Sequence, residues 1–282
     1  VDGQIEEFKV EKEYRKMNRK GLTGELIAEL FGTFVLILLG DGVVAEVGLA
    51  PRLASQGYDW NTIVWGWGLA VVMAVYVAGG VTGAHINPAV TFAMAVKRDF
   101  PWGKVVPYWI AQIVGAFLGA FAVYLVYFQG LQEAGMPNVW CTGPGSVFGQ
   151  AFWGGDGAAA VGTYPVWNAM VAEFFGTAML LLGIVAITDN KNVGPASNLW
   201  PFMVGMLVLA IGLSLGGPSG YAINPARDFG PRLFGLIVGT KDLFTSDFYW
   251  LLAPIVATLI GGVAGVLGYD YLIVPFLPEK EA

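Results

Sequence analysis
Charge is what this sequence has least of. Only 13% of its 282 residues are Asp, Glu, Lys or Arg, against 56% hydrophobic. A soluble domain carries about 25% charged residues, and a chain of this size could not cover a water-facing surface so thinly. The charge it has is clustered, with eleven such residues between Asp2 and Lys20. The one cysteine, Cys141, excludes an internal disulfide framework and a cysteine-paired metal site. Outside the N-terminus there is no basic stripe, which excludes a nucleic-acid partner. No charged start followed by a short apolar core and a small-residue cleavage site is present, so no signal peptide is expected.

What remains is apolar and long. A bilayer core of about 30 Å needs ~20 residues of apolar helix at 1.5 Å rise each. Six runs meet that length: Leu22–Val44, Trp60–Gly80, Val105–Phe128, Trp167–Ile187, Leu199–Gly217 and Phe248–Val274. Two more, Asn87–Val96 and Asn224–Phe234, are too short to span, and both open with Asn-Pro-Ala. Many of the 40 glycines sit inside the apolar runs, as in 261-GGVAGVLG-268, where small residues let helices pack closely in lipid.

The chain repeats itself. 28-AELFGTFVLILLG-40 is echoed by 172-AEFFGTAMLLLGI-184, and 84-AHINPAV-90 by 222-AINPARD-228. Three spans per half is an odd number, so the second half is inverted relative to the first. The expected fold is an all-α membrane protein of six transmembrane helices and two re-entrant half-helices. Its channel domain covers 21–274, with repeats at about 21–128 and 166–274 joined by an extracellular loop, 129–165. A charged segment, 1–20, precedes it and a tail, 275–282, follows. With both termini on one side, that side holds eleven Lys and Arg and the other holds Arg52, Arg227, Arg232 and Lys241. Positive charge marks the cytoplasmic face, so both termini are expected inside.

An isolated Asn-Pro is a good helix start, since Asn caps free N–H groups and Pro suits the first turn. Two copies in inverted halves imply more. Inversion brings both starts, Asn87-Pro88-Ala89 and Asn224-Pro225-Ala226, to the midplane with their positive dipole ends facing. Irregular backbone is tolerated at that depth only where it lines a polar cavity. Gly83, Ala84 and His85, with Gly220, Tyr221, Ala222 and Ile223, are therefore expected to present carbonyls to a pore.

The motifs 24-GELIAELFGT-33, 79-GGVTGAHINPAV-90 and 219-SGYAINPARDFGPR-232 resemble those of the major intrinsic protein family, over about Leu22 to Leu272. The resemblance is to its glycerol-conducting branch. It implies a passive channel rather than an enzyme, without cofactor or metal, passing glycerol, other small neutral solutes and some water. It also implies a homotetramer surrounded by lipid, in the plasma membrane. By that resemblance each Asn amide donates to a passing oxygen while the half-helix dipoles and an Arg repel cations and protons, as in aquaporin-type pores generally. By the same resemblance Trp67, Gly212, Tyr221 and Arg227 form the narrow selectivity region. Spacing alone does not separate Trp67 from a packing tryptophan. Gly212 stands where water-selective members carry a second His, and Asp228 and Arg232 match the glycerol branch. Tyr249-Trp250, in contrast, resembles the water branch.

Glu29 and Glu173 occupy matching places inside apolar spans, where an ionisable group is costly. A catalytic pair would need a nucleophile, metal ligands or a cofactor motif, and none accompanies them. The resemblance gives them, with Asp228, the task of supporting the re-entrant loops. His85 is expected to orient its loop, with pH gating as the alternative. A water-selective pore and a coupled secondary transporter stay open as alternatives at this stage.

Overall fold
The computed structural model describes residues 21–49, 57, 59–143 and 166–278. The charged segment 1–20, Arg52, residues 144–165 of the long connection and residues 279–282 of the tail lie outside the described residues.

Among the described residues eight helices follow one another: α1 (Leu22–Leu49), α2 (Trp60–Thr82), α3 (Pro88–Lys97), α4 (Trp102–Glu133), α5 (Val166–Thr188), α6 (Trp200–Leu215), α7 (Pro225–Ile237) and α8. The last begins at Tyr249–Leu251, passes through a π-helical turn at Leu252–Ala257 and continues as Thr258–Leu272. That turn contains Pro254, which has no N–H to give the regular ladder. α1, α2, α4, α5 and the stretch Tyr249–Phe276 are long and apolar enough to cross a membrane.

The expected span Leu199–Gly217 is shorter in the structure. α6 has 16 residues, about 24 Å of helix. It stops where Gly216, Gly217 and Pro218 break it, and the chain there turns inward toward α7. α4 is longer than expected and takes up residues 129–133 of the predicted loop, with a bend at Tyr127 (φ −105°, ψ 16°). The part of that loop from Asn138 to Thr142 folds back into the protein, with Trp140 and Thr142 fully buried.

The packing repeats with the sequence. α1 lies against α2 and α4, and α5 lies against α6 and α8. α2 meets α6 across the two halves, while α3 packs mainly on α8 and α7 on α4. Each short helix is thus held by the last helix of the opposite repeat. Glycines make the closest approaches. A Cβ on Gly115 or Gly119 of α4 would lie 2.1 Å from the Leu30 carbonyl and 2.8 Å from the Phe34 carbonyl of α1. Gly261 and Gly265 of α8 stand in the same relation to α5, at 2.3 Å from the Phe174 carbonyl and 2.1 Å from the Ala178 carbonyl. In both halves the spacing is Gly-x-x-x-Gly, which lets two backbones touch where lipid offers no hydrophobic drive between helices.

Gly265→Ala should therefore cost on the order of 1–3 kcal/mol, because a backbone carbonyl cannot step aside as a side-chain tip can. Gly80→Ala is the control, since nothing lies within 4 Å of its added methyl. Thermal unfolding in detergent, followed by helical circular dichroism, should show the first variant melting well below the second; equal midpoints would refute the tight α5–α8 contact.

Candidate functional site
Two irregular segments enter the middle of the bundle, one before each short helix, with the same backbone. Gly83 (φ 76°), Ala84 (53°) and Ile86 (43°) are left-handed in the first, and Gly220 (93°), Tyr221 (38°) and Ile223 (42°) in the second. A β-branched residue in that region is a steric outlier and persists only if its surroundings hold it. The hold comes from two carboxylates. Glu29 accepts from the N–H groups of His85 (2.9 Å) and Ile86 (2.6 Å), from Thr82 Oγ1 (2.6 Å) and from Gln112 Nε2 (2.8 Å). Glu173 accepts from the N–H groups of Ala222 and Ile223, both at 2.7 Å. Hydroxyls complete the match: Ala84 N–H donates to Thr82 Oγ1 at 3.0 Å and Tyr221 N–H to Ser219 Oγ at 3.2 Å.

The two asparagines then tie the segments together. Asn87 Oδ1 caps α3 through the Ala89 N–H (2.8 Å), and Asn224 Oδ1 caps α7 through those of Ala226 (3.0 Å) and Arg227 (3.2 Å). The first turns begin with Pro88 and Pro225, which have no N–H to satisfy. Asn87 Nδ2 donates across to the Ile223 carbonyl, and Asn224 Nδ2 to the Ile86 carbonyl, both at 2.8 Å. The Ile223 carbonyl, expected to face solute, is thus already engaged by the other half. Each amide keeps one further N–H. Among the described residues the carbonyls of Gly83, Ala84, His85, Gly220, Tyr221 and Ala222 receive no protein donor.

A cavity of about 60 Å³ runs along these segments. Ala84, His85, Asn87, Ala222, Ile223, Asn224 and Arg227 line it, and Leu36, Val71, Val75, Val90, Leu180 and Val208 supply an apolar wall. Trp67 and Tyr221 belong to the lining as well. The guanidinium carbon of Arg227 lies 4.1 Å from the Trp67 ring centroid, within cation–π range. Gly212 acts through a neighbour. A Cβ there would be 2.8 Å from Tyr221 Cζ, so the missing side chain is the space into which the tyrosine ring leans. Trp67 Nε1 and Tyr221 Oη are buried without a protein partner among the described residues.

Around this end lies a second polar layer. Asp228 accepts from Thr142 N–H (2.8 Å) and Oγ1 (2.6 Å) and from Arg232 Nε (2.8 Å), and Arg232 also donates to the carbonyls of Thr142 and Leu243. Asp228 therefore braces the returning segment 138–143 rather than the α7 loop itself. Tyr249 Oη donates into the same layer, toward Thr142 Oγ1 (3.1 Å) and the Ser219 carbonyl (3.0 Å), and Trp250 stacks on Phe229. Neither lines the cavity. At the other end His85 Nδ1 is 3.2 Å from Thr91 Oγ1 and its ring packs on Phe100 and Tyr108. Cys141 is buried, with Sγ 3.4 Å from Asn138 Oδ1.

Sequence reasoning passed over Trp140, whose carbonyl lies 3.4 Å from Arg227 Nη1, and Asp41, whose carboxylate lies 4.0 Å from the same atom. Nothing local marks Trp140. Asp41 did carry a signal, as a charge inside the first apolar run.

Comparison with known proteins agrees with the architecture. A probable glycerol uptake facilitator protein of Thermotoga maritima is 46% identical over 87% of this chain and 98% of its own length. Aquaglyceroporin-3 of Trypanosoma brucei brucei is 42% identical over 88% of this chain and 78% of its length. The X-ray structure of the aquaglyceroporin from Plasmodium falciparum superposes with a TM-score of 0.76 at 32% identity, covering 90% of this chain and 98% of that one. The family model described as Major intrinsic protein matches residues 16–269, and with these relatives it shows that the chain belongs to that family.

Proposed function
We propose that the chain is a passive channel for glycerol and other small neutral polyols, passing some water and excluding ions and protons. The observation that carries this is the two-sided wall at Trp67, Tyr221 and Arg227. Two aromatic faces offer a surface to the C–H edge of a polyol, while the guanidinium, the free asparagine N–H groups and the unengaged loop carbonyls meet its hydroxyls. An amphipathic path suits an amphipathic solute. The names of the Thermotoga and trypanosome relatives support the same reading.

Ion exclusion has two supports here. The starts of α3 and α7 face one another at the asparagine cross-tie, so their positive ends oppose a cation there, and the neck is narrow and flanked by Arg227. The Tyr249-Trp250 pair, which resembles water-selective relatives, does not reach the wall and so does not set its polarity. A coupled transporter would need a carboxylate free to exchange an ion; Glu29 and Glu173 are both committed to backbone donors, and the buried Asp41 faces Arg227 at 4.0 Å.

As a member of this family with long apolar spans, the chain is an integral membrane protein. We infer that it lies in the plasma membrane with both termini cytoplasmic, on the Lys and Arg asymmetry. The connection from residue 134 to 165 is then extracellular, and the Arg227 end of the cavity is the outer neck. A homotetramer is inferred from the family, each subunit with its own pore.

Three outcomes are expected. In stopped-flow light scattering, proteoliposomes should shrink and reswell with fast, non-saturating glycerol entry and no ion gradient; fast water with negligible glycerol would overturn the reading. Gly212→His should push the Tyr221 ring into the neck and lower glycerol permeability at least tenfold more than water permeability. An equal loss of both would remove Gly212 from the specificity argument. Arg227→Val should keep glycerol flux and raise cation leak severalfold, and an unchanged leak would show that Arg227 takes no part in cation exclusion.

A further inference from the structure
The pore chemistry leaves one buried charge unused. Asp41 stands on α1 with no exposed surface, beside Gly40, on whose backbone the Trp67 ring rests; a Cβ at Gly40 would lie 2.3 Å from Trp67 Cζ3. One of its oxygens is 4.0 Å from Arg227 Nη1, and neither oxygen has a hydrogen-bond partner among the described residues. An acid in an apolar span is expensive to hold without a compensating charge.

The neighbouring charges decide what it compensates. Asp228 is the other buried acid at this end, and it is closed on Arg232 at 2.7 Å and on Thr142. Lys241 follows α7, and among the described residues the ion pair of Asp41 is with Arg227. For its part Arg227 donates to the Trp140 carbonyl at 3.4 Å, closer than its 4.0 Å approach to Asp41, and lies over the Trp67 face, but neither of these partners carries a formal charge. The two buried acids and two buried bases at this end thus sort into two pairs, Asp228 with Arg232 and Asp41 with Arg227.

We propose that Asp41 is the counter-ion of Arg227, a positioning and specificity-determining residue that holds the guanidinium against Trp67 and cancels the fixed charge of the neck. This rests on the reading of Arg227 as a neck residue. A lone buried cation would attract small anions as strongly as it repels cations, whereas a compensated pair presents N–H donors to a neutral solute with little net field. The neck then rejects ions of both signs through desolvation, and the midplane dipoles add their own cation barrier. A corollary concerns Arg227→Val: the leak it opens is driven by the carboxylate left behind.

The test is a double-variant cycle in proteoliposomes on wild type, Asp41→Asn, Arg227→Val and the two combined, reading sodium leak, nitrate leak and glycerol flux. The expected result is a sodium leak in Arg227→Val at least fivefold above wild type that returns to within twofold of wild type in the combined variant. Asp41→Asn alone should raise nitrate leak at least fivefold, because Arg227 is then uncompensated. A combined variant that leaks sodium as Arg227→Val does overturns the proposal. If Arg227→Val does not leak, its part in cation exclusion fails separately. In that case, or if the combined variant lacks glycerol flux, the nitrate arm decides: a fivefold rise upholds the Asp41 pairing and an unchanged leak overturns it. A purely structural role for Asp41 would lower glycerol flux without changing the sign of the ion that leaks.

Discussion
Eight backbone N–H groups, in Gly83–Ile86 and Gly220–Ile223, have to be satisfied at a depth where lipid gives nothing, and the rest of the structure follows from how that is done. Gly83 and Gly220 donate back into the preceding helical turn at 3.0 and 2.7 Å. Ala84 and Tyr221 use a hydroxyl two residues earlier. The last two in each segment converge on Glu29 or Glu173. Because every donor points to one side, the carbonyls are left for the other, and a solute path acquires acceptors without any acidic side chain in it. The left-handed isoleucines are the conformational cost of that arrangement.

The same economy governs the helices. Two Gly-x-x-x-Gly stripes bring α4 onto α1 and α8 onto α5 at backbone contact, which leaves the wide side of the bundle for the two segments and their short helices. At the neck, a glycine on α6 sets how far the Tyr221 ring can lean, and a glycine on α1 sets where the Trp67 ring rests. Aperture is therefore fixed by absent side chains behind the wall as much as by those in it.

Much of this could be read in the sequence. Apolar run length located the spans to within a few residues, and the paired Asn-Pro-Ala segments located both half-helices, because capping is a local property carried by one residue and its neighbour. Two kinds of feature could not be read. The end of α6 and the extension of α4 depend on where the chain turns inward, which tertiary packing decides. The return of residues 138–143 under Arg227 and Arg232 is non-local, joining partners about 90 positions apart through Trp140 and Thr142. Asp41 was visible as a charge out of place, yet its partner was not, since nothing in a linear pattern brings position 41 beside position 227.

The asparagine cross-tie also has a consequence in time. Asn87 donates to a carbonyl made 136 residues later, and Asn224 to one made 138 residues earlier. During synthesis the first segment therefore enters the bilayer with Glu29 already beneath it but with its own tip unfastened, and it stays so until the ribosome has passed the second. The midplane junction cannot close before the second segment is made, and the nascent first repeat is an incomplete object whatever the quality of its own packing.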